Sequence, residues 1–291
     1  MPELPEVEIT LRKLRPALVG RSVSALDTSA NSYFFVTPPN VLKRGVEGRR
    51  AVDLVRRGKY LVLLLDDGRR LLLHLGMTGQ LFVAGEGSVE LLPTTGRGTL
   101  KPSQQQRFSP DKHTHLVFRL TGDGGDVYFR DPRKFGKVQL LGPRQPCERL
   151  DKLGPDALGV TAEHLRAAAR GRRGAVKGLL LNQAVLAGVG NIYADEALFL
   201  ARIRPGRAAG RVTRAEHEAL AQALRSVLQR SIETGGSSIS DYVHPDGQRG
   251  SYQLGRMVYA RAGEPCSQCG ATIAHRTVAQ RSSHYCPSCQ R

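Results

Sequence analysis

The feature that most limits what this chain can become is the spacing of its cysteines. Four of the five fall within the last 26 of 291 residues, as Cys266-Ser-Gln-Cys269 and Cys286-Pro-Ser-Cys289. Two C-x2-C pairs sixteen residues apart suit one tetrahedral zinc ion, each pair gripping from a tight knuckle. Four thiolate ligands leave no open coordination position, so the expected zinc on Cys266, Cys269, Cys286 and Cys289 is structural. Metal would fold a segment too small to bury a core of its own. Two chance C-x2-C pairs, or a redox couple, is the competing reading. Between the pairs lie His275, Arg276, Gln280, Arg281, Ser282, Ser283 and His284, a polar and basic set suited to phosphate or base edges. Cys147 stands apart and reads as a small hydrophobe.

Charge narrows the partner. Lys and Arg number 43 against 26 Asp and Glu, a formal net charge of +17. That excess favours a polyanion, nucleic acid before anionic membrane, over a merely basic soluble protein. Hydrophobic residues make up 40%, enough for real cores and against a wholly disordered chain. No run approaches the ~20 apolar residues of a membrane span. The start, MPELPEVE, is acidic and lacks the apolar stretch of a secretory signal. At roughly 100–200 residues per domain, the length suggests two domains with a small appendage.

Periodicity then divides the chain. Val7, Leu11, Leu14 and Leu18 lie on one face of a helix that begins near Pro5 and stops before Gly20. Short β-rich runs follow at Tyr60–Leu65, Leu71–Leu75, His115–Leu120, Asp126–Arg130 and Lys137–Leu141, with Asp67-Gly68 and Gly122–Gly125 as hairpin punctuation. Gly85 to Lys112 is aperiodic and reads as a long surface loop without chemistry of its own. The second half reads as helices: from Thr161 through Arg170, Ala175–Val185, one N-capped by Asn191 and ending at Ala201, and one opened by a Thr213/Glu216 capping box. Leu220, Leu224, Val227, Leu228 and Ile232 line one face of the last, which Gly235-Gly236 ends. From Gly235 to Gly255 the chain is polar, Gly-rich and too irregular for a core element. The fold class is therefore α+β: an antiparallel β-sandwich fronted by a helix, then a helical domain with a zinc finger.

Two further patterns carry chemistry. Gly188-Val189-Gly190-Asn191 sits between helices, where backbone N–H groups can face a phosphate; Arg172, Arg173 and Lys177 lie nearby. Gly ending a helix without a ligand is the plain alternative. At the start, small Pro2 permits removal of Met1 and exposes a secondary amine. An α-amine has a reference pKa near 7.7–8.0 against ~10.4 for Lys, so far more of it is nucleophilic at neutral pH. With Glu3 to shuttle protons and Lys59 at a distance in sequence, these form a Schiff-base toolkit.

Six motifs taken together resemble a known family: PELPEVE at the start, R-G-K-Y at 57–60, H-L-G-M-T-G at 74–79, D-P-R-K-F-G at 131–136, G-V-G-N-I-Y-A-D-E at 188–196, and the four-cysteine finger. In that order, over residues 2 to 289, they resemble bacterial formamidopyrimidine-DNA glycosylases. The resemblance implies a bifunctional glycosylase/AP lyase of base excision repair, with a two-layered β-sandwich, a helix-two-turn-helix domain and a zinc finger. Its partner would be double-stranded DNA containing oxidised purines, held between the halves, with one structural zinc and no membrane. A monomer in the bacterial cytoplasm, at the nucleoid, is expected. By position, Pro2 would attack C1′, Glu3 would be the general acid/base, Lys59 the proton donor in β-elimination, and Arg281 would serve δ-elimination and phosphate binding. Met77, Arg133 and Phe135 match residues that fill the space left by the everted base; His113, Arg172 and Asn191 match DNA contacts. Core packing for Met77 and Phe135 and a surface salt bridge for Arg133 are the bland alternatives. His74 reads as a structural histidine.

The implied domains are 1–142 (catalytic sandwich), 143–155 (linker), 156–236 (helix-two-turn-helix), 237–255 (base-capping loop) and 256–291 (finger). Ser237, Ser238, Asp241 and Tyr242 follow the pattern of the purine-capping loop. The 85–112 loop looks longer than is usual in the family. An endonuclease VIII-type relative preferring oxidised pyrimidines is opposed by Leu4, where that relative resembles PEGPE, and by wedge residues split between 77 and 133–135. A non-catalytic zinc DNA-binding protein would leave Pro2, Glu3 and Lys59 unexplained.

Overall fold

The computed structural model describes residues 2–84, 110–123, 125–238, 242, 244–246 and 248–291. Most of the expected 85–112 loop, and Asp241, lie outside the described residues. The chain forms two compact units: 1–148 with 234–253, and 149–233 with 254–291. Residues 143–148 fall in the first unit and 149–155 in the second; 237–253 fall in the first and 254–255 in the second.

The first unit opens with α1 (Leu4–Leu18), which carries Pro5 in its first turn and buries Val7, Leu14 and Leu18. Two four-stranded antiparallel sheets follow. One runs β1 (Val23–Thr28), β6 (Thr114–Leu120), β7 (Asp126–Arg130), β5 (Gln80–Ala84). The other runs β2 (Ala51–Arg57), β3 (Tyr60–Leu65), β4 (Arg70–His74), β8 (Lys137–Leu141), with α2 (Pro39–Val46) inserted before it in sequence. α1 packs on β2, and one core joins Val7 and Leu14 to Phe34, Leu61, Leu73, Phe118 and Phe129. Each such side chain, fully buried, stabilises by roughly 1.5–3 kcal/mol. Phe34 meets Phe129 edge-on at 4.9 Å, a geometry the ring quadrupoles favour.

The pattern reading finds β3, β4, β6, β7 and β8 but misses α2, β1, β2 and β5. β1 (VSALDT) and β2 (AVDLVRR) break the period-2 alternation: β1 buries Val23 and Leu26, three residues apart, and β2 spreads charges over partly buried and exposed positions. The segment 234–253 also differs from expectation. Ser237, Tyr242, His244 and Tyr252 are buried in it. Side-chain-to-backbone bonds, which leave no periodic trace, hold it: the Tyr242 hydroxyl donates to the Glu6 carbonyl at 2.7 Å, and the Ser237 amide donates to Glu6 Oε1 at 2.8 Å.

After the short α3 (Glu148–Asp151), the second unit holds α4 (Ala162–Ala169), α5 (Val176–Leu181), α6 (Asn191–Leu200) and α7 (Arg214–Glu233). The Thr161 hydroxyl caps α4. α5 is shorter than its pattern suggests, because Asn182 and Gln183 turn their side-chain amides onto nearby backbone instead of continuing the helix. Gly190 is the cap of α6 and Asn191 its first residue. The α7 capping box is complete: Thr213 N–H donates to Glu216 Oε2 at 2.7 Å, and Glu216 N–H to Thr213 Oγ1 at 3.3 Å. Leu220, Leu224, Val227, Leu228 and Ile232 are all buried. The finger is a hairpin, β9 (Ala274–Val278) and β10 (Arg281–Tyr285). Glu196, wholly buried on α6, accepts the amides of Met257, Val258 and Tyr259 at 2.8–2.9 Å and ties the approach to the finger onto that helix. No helix among the described residues is long and apolar enough to cross a membrane.

Thr213→Ala removes one half of the α7 box and is expected to lower stability by about 1 kcal/mol in urea unfolding, without a change in m.

Candidate functional site

In the first unit the N-terminal motif becomes the lip of α1. Glu3 is the N-cap residue, and its N–H donates to Glu6 Oε2 at 2.8 Å. Glu6 therefore uses one oxygen for Glu3 and the other for Ser237. Pro2, Glu3 and Glu6 are all buried. Lys59, also buried, follows Gly58 at the two-residue turn joining β2 to β3, where Gly58 takes φ 58°; a side chain there would be strained.

Arg56 links this turn to α1. Its Nε donates to Glu8 Oε2 at 2.7 Å and its other nitrogen to the Gly58 carbonyl at 3.1 Å. Burial by itself would raise the Glu8 carboxyl, but hydrogen bonds from Arg56 and then Arg12 outweigh it and hold it below the usual carboxylate range. The sequence thus brings the Lys59 hairpin to the helix that begins with Glu3.

Met77 lies on the connection from β4 to β5, and Arg133 and Phe135 on the connection from β7 to β8. Met77 and Phe135 are each 40% exposed, so neither is a core side chain. The Arg133 guanidinium sits over the Phe135 ring, 4.5 Å from its centroid, within cation–π range. His113 is half-buried just before β6, and its carbonyl accepts the Asp131 amide at 2.8 Å. His74 behaves as a structural residue: Nδ1 accepts the Gly76 amide at 3.2 Å and the ring lies 4.7 Å from that of Tyr60.

In the second unit the three candidate residues lie on the connection from α4 to α5, at the start of α6 and at the start of β10. Arg172 is exposed, and its carbonyl accepts the Gly210 amide at 2.9 Å. Asn191 opens α6 after Gly188 at φ 107°, and its Oδ1 is buried without a hydrogen-bond partner. Arg281 is exposed and follows a turn in which Ala279 and Gln280 both have positive φ, 51° and 59°. That turn is braced from below. Lys177, wholly buried, pairs with Asp195 at 2.7 Å and donates to the Ser282 carbonyl and Ser283 hydroxyl, each at 2.7 Å. Asp195 also accepts the His284 amide at 2.9 Å.

The four cysteine sulfurs lie within 4.8 Å of one another. Cys266 to Cys289 is 3.9 Å and Cys269 to Cys286 is 3.4 Å. Zn–S bonds of about 2.3 Å in a tetrahedron put sulfurs about 3.8 Å apart, so the set fits zinc. Without a cation, hydrogen bonding from Cys269 and then burial push the Cys289 thiol up to about 12; a divalent ion reverses that preference.

Sequence reasoning passes over the residues beneath the site. Arg56, Thr78 and Asp131 lie beside or inside motifs read for their neighbours, and Asp195 and Glu196 follow the glycine turn; Lys177, read there as a cation near a phosphate, is instead buried against Asp195. A buried charged residue leaves no period, so the only available signal was a charged or hydroxylic residue inside an otherwise apolar or glycine-rich motif.

Residues 1–138 match the formamidopyrimidine-DNA glycosylase N-terminal domain, 153–243 the formamidopyrimidine-DNA glycosylase H2TH domain, and 263–291 a zinc finger found in FPG and IleRS. A formamidopyrimidine-DNA glycosylase of Roseiflexus sp. (strain RS-1) is 42% identical over 294 residues, covering 100% of both chains. A complex of a Lactococcus lactis FPG mutant with a Fapy-dG containing DNA has TM-score 0.86 at 32% identity, covering 100% of each chain. A complex of Lactococcus lactis Fpg with an abasic site containing DNA has TM-score 0.85 at 32% identity, covering 99% of each chain. With the finger match, the four close sulfurs form the site of one zinc ion.

Two measurements test this geometry. Removal of zinc by a strong chelator should abolish amide-exchange protection across β9 and β10, since binding free energy there is folding free energy. Glu8, depressed in the folded state, contributes stability that is present above its unfolded pKa of about 4.3 and lost as pH falls through its folded value. Arg56→Gln should therefore flatten the loss of stability between about pH 5 and 3 seen by thermal unfolding.

Proposed function

The chain belongs to the formamidopyrimidine-DNA glycosylase family, and on that footing we propose that it excises oxidised purines, 8-oxoguanine and formamidopyrimidines, from double-stranded DNA through a Schiff base on Pro2. It is a zinc-containing, DNA-binding repair enzyme, a DNA glycosylase and AP lyase.

Chemistry on a stacked base requires that the nucleotide leave the duplex, at a few kcal/mol of unstacking. Met77, Arg133 and Phe135 fill the vacated space: an apolar wedge, a ring, and a guanidinium whose paired donors face the orphan base and favour cytosine there. The Pro2 nitrogen, freed by loss of Met1, forms a bond to C1′ as the bond from C1′ to the base breaks. The base leaves with that electron pair and takes up a proton; the sugar ring opens, leaving an iminium on Pro2 with the proton on O4′. Glu3 moves protons at this centre. Loss of a C2′ proton then expels the 3′ phosphate, with Lys59 as proton donor, and δ-elimination expels the 5′ phosphate, with Arg281 binding it. His113, Arg172 and Asn191 hold backbone phosphates, which fixes register without reading sequence.

The functional division we infer follows 1–142 for chemistry, 156–236 and 256–291 for grip on the duplex, and 237–255 as a cap on the everted base. The observation that carries the reading is the fixed lip of α1. Glu6 pins the Glu3 amide, so the residue before it, Pro2, is held beside a carboxylate, and Arg56 ties the Lys59 hairpin to the same helix.

Borohydride added to a reaction on an 8-oxoguanine duplex should trap a covalent adduct whose sugar remnant maps to Pro2. Pro2→Gly should slow base release by about 100-fold or more; full activity in that variant excludes the terminal amine. A paired assay on 8-oxoguanine and thymine glycol duplexes should favour the former, and the reverse order would assign the chain a pyrimidine-directed specificity.

A further inference from the structure

The three side chains assigned to the vacated space come from two separate connections, yet a wedge works only if its parts keep fixed relative positions. Both connections cross between the sheets. Residues 75–79 lead from β4 in one sheet to β5 in the other, and 131–136 lead back from β7 to β8. The two run against each other backbone to backbone. Gly76, at φ 62°, sits so close that an added Cβ would lie 2.4 Å from the Phe135 carbonyl carbon and 2.5 Å from the Gly136 nitrogen.

One buried carboxylate fastens them. Asp131 is 0% exposed. Its Oδ1 accepts the Thr78 hydroxyl at 2.5 Å and the Arg133 amide at 3.2 Å, and its Oδ2 accepts the Gly136 amide at 2.6 Å. Its main chain continues the network: the amide donates to the His113 carbonyl at 2.8 Å, and the carbonyl lies 3.0 Å from His115 Nε2. Among the described residues, the Thr78 hydroxyl is the one bond from this carboxylate to the Met77 connection, while the Arg133 and Gly136 amides bracket the segment that bears Arg133 and Phe135. Hydrogen bonds to a buried carboxylate are strong, and losing one leaves a desolvated group without its partner.

We propose that Asp131, acting through Thr78, is a positioning residue that makes Met77, Arg133 and Phe135 a single rigid wedge, so that base eversion depends on it while chemistry at C1′ does not. The proposal rests on the reading that these three side chains fill the space left by the everted base. Asp131 touches neither the sugar nor the base in this scheme. It acts by denying the two connections any movement relative to each other, and a misplacement near 1 Å is enough to cost about 100-fold in a reaction that needs alignment.

Asp131→Asn and Thr78→Val keep size and shape while altering or removing the link. Single-turnover excision of 8-oxoguanine opposite cytosine should fall about 10- to 100-fold in both variants. Incision at a preformed abasic site, which has no base to evert, should stay within about threefold of wild type. Discrimination between cytosine and adenine opposite the lesion should narrow, and Thr78→Ser, which restores the hydroxyl, should recover excision. Equal loss on both substrates would make the role merely structural and overturn the proposal, as would unchanged excision in Thr78→Val. Met77→Ala and Arg133→Ala are run beside them. If those keep full excision, the void-filling reading fails and takes this proposal with it; if they lose excision while Asp131→Asn and Thr78→Val do not, the proposal alone fails.

Discussion

The grip of buried carboxylates on backbone amides is the interaction on which the rest of this molecule depends. Glu6 holds Glu3 and Ser237, Asp131 holds Arg133 and Gly136, Asp195 holds His284, and Glu196 holds Met257, Val258 and Tyr259. Apart from His284, which lies in β10, the fastened segment is irregular. It lies outside any strand ladder or helix interior, or at the margin of one, where the main chain's own donors would otherwise go unmet in the interior. A carboxylate offers two oxygens with several lone pairs, enough to satisfy two or three such donors at once.

Such contacts are all-or-none in a way that apolar packing is not. A Leu shortened to Val loses some contact; a carboxylate that loses one donor keeps its full desolvation penalty. The Lys177–Asp195 pair shows the stakes, since both side chains are wholly buried. Removing either partner from such a pair typically costs about 3–5 kcal/mol, because the charge left behind has nowhere to go. The rigidity obtained this way is delivered to Arg281 at the finger tip, to Met77, Arg133 and Phe135 on the sheet crossings, and to Pro2 and Glu3 at the start of α1.

Much of this was legible in the sequence, and the boundary of legibility has a physical cause. The core face of α7, its Thr213/Glu216 box, the central strands and the cysteine set are all written in spacing or period. β1, β2 and β5 were not, because partly charged or short strands carry no clean alternation. The segment from Gly235 to Gly255 read as too irregular for a core element, yet it buries Tyr242 and Tyr252, since what holds it is a set of single bonds to α1 and its own turns. For the site, motif reading singled out candidate side chains such as Met77, Arg133 and Phe135. It had no means of finding Asp131 or Thr78, whose work is visible only once the Oδ1, Oδ2 and Oγ1 distances are known.

The seat of Gly76 against the 135–136 backbone bears on how a protein like this can diversify. With main chain pressed on main chain, neither loop can lengthen or tilt by itself, so descent has little freedom to reshape the scaffold there. It remains free to exchange what projects outward at 77 and 135, where the chain already faces solvent. Variation in this part of the molecule is therefore more accessible through swaps at those outward positions than through remodelled loops.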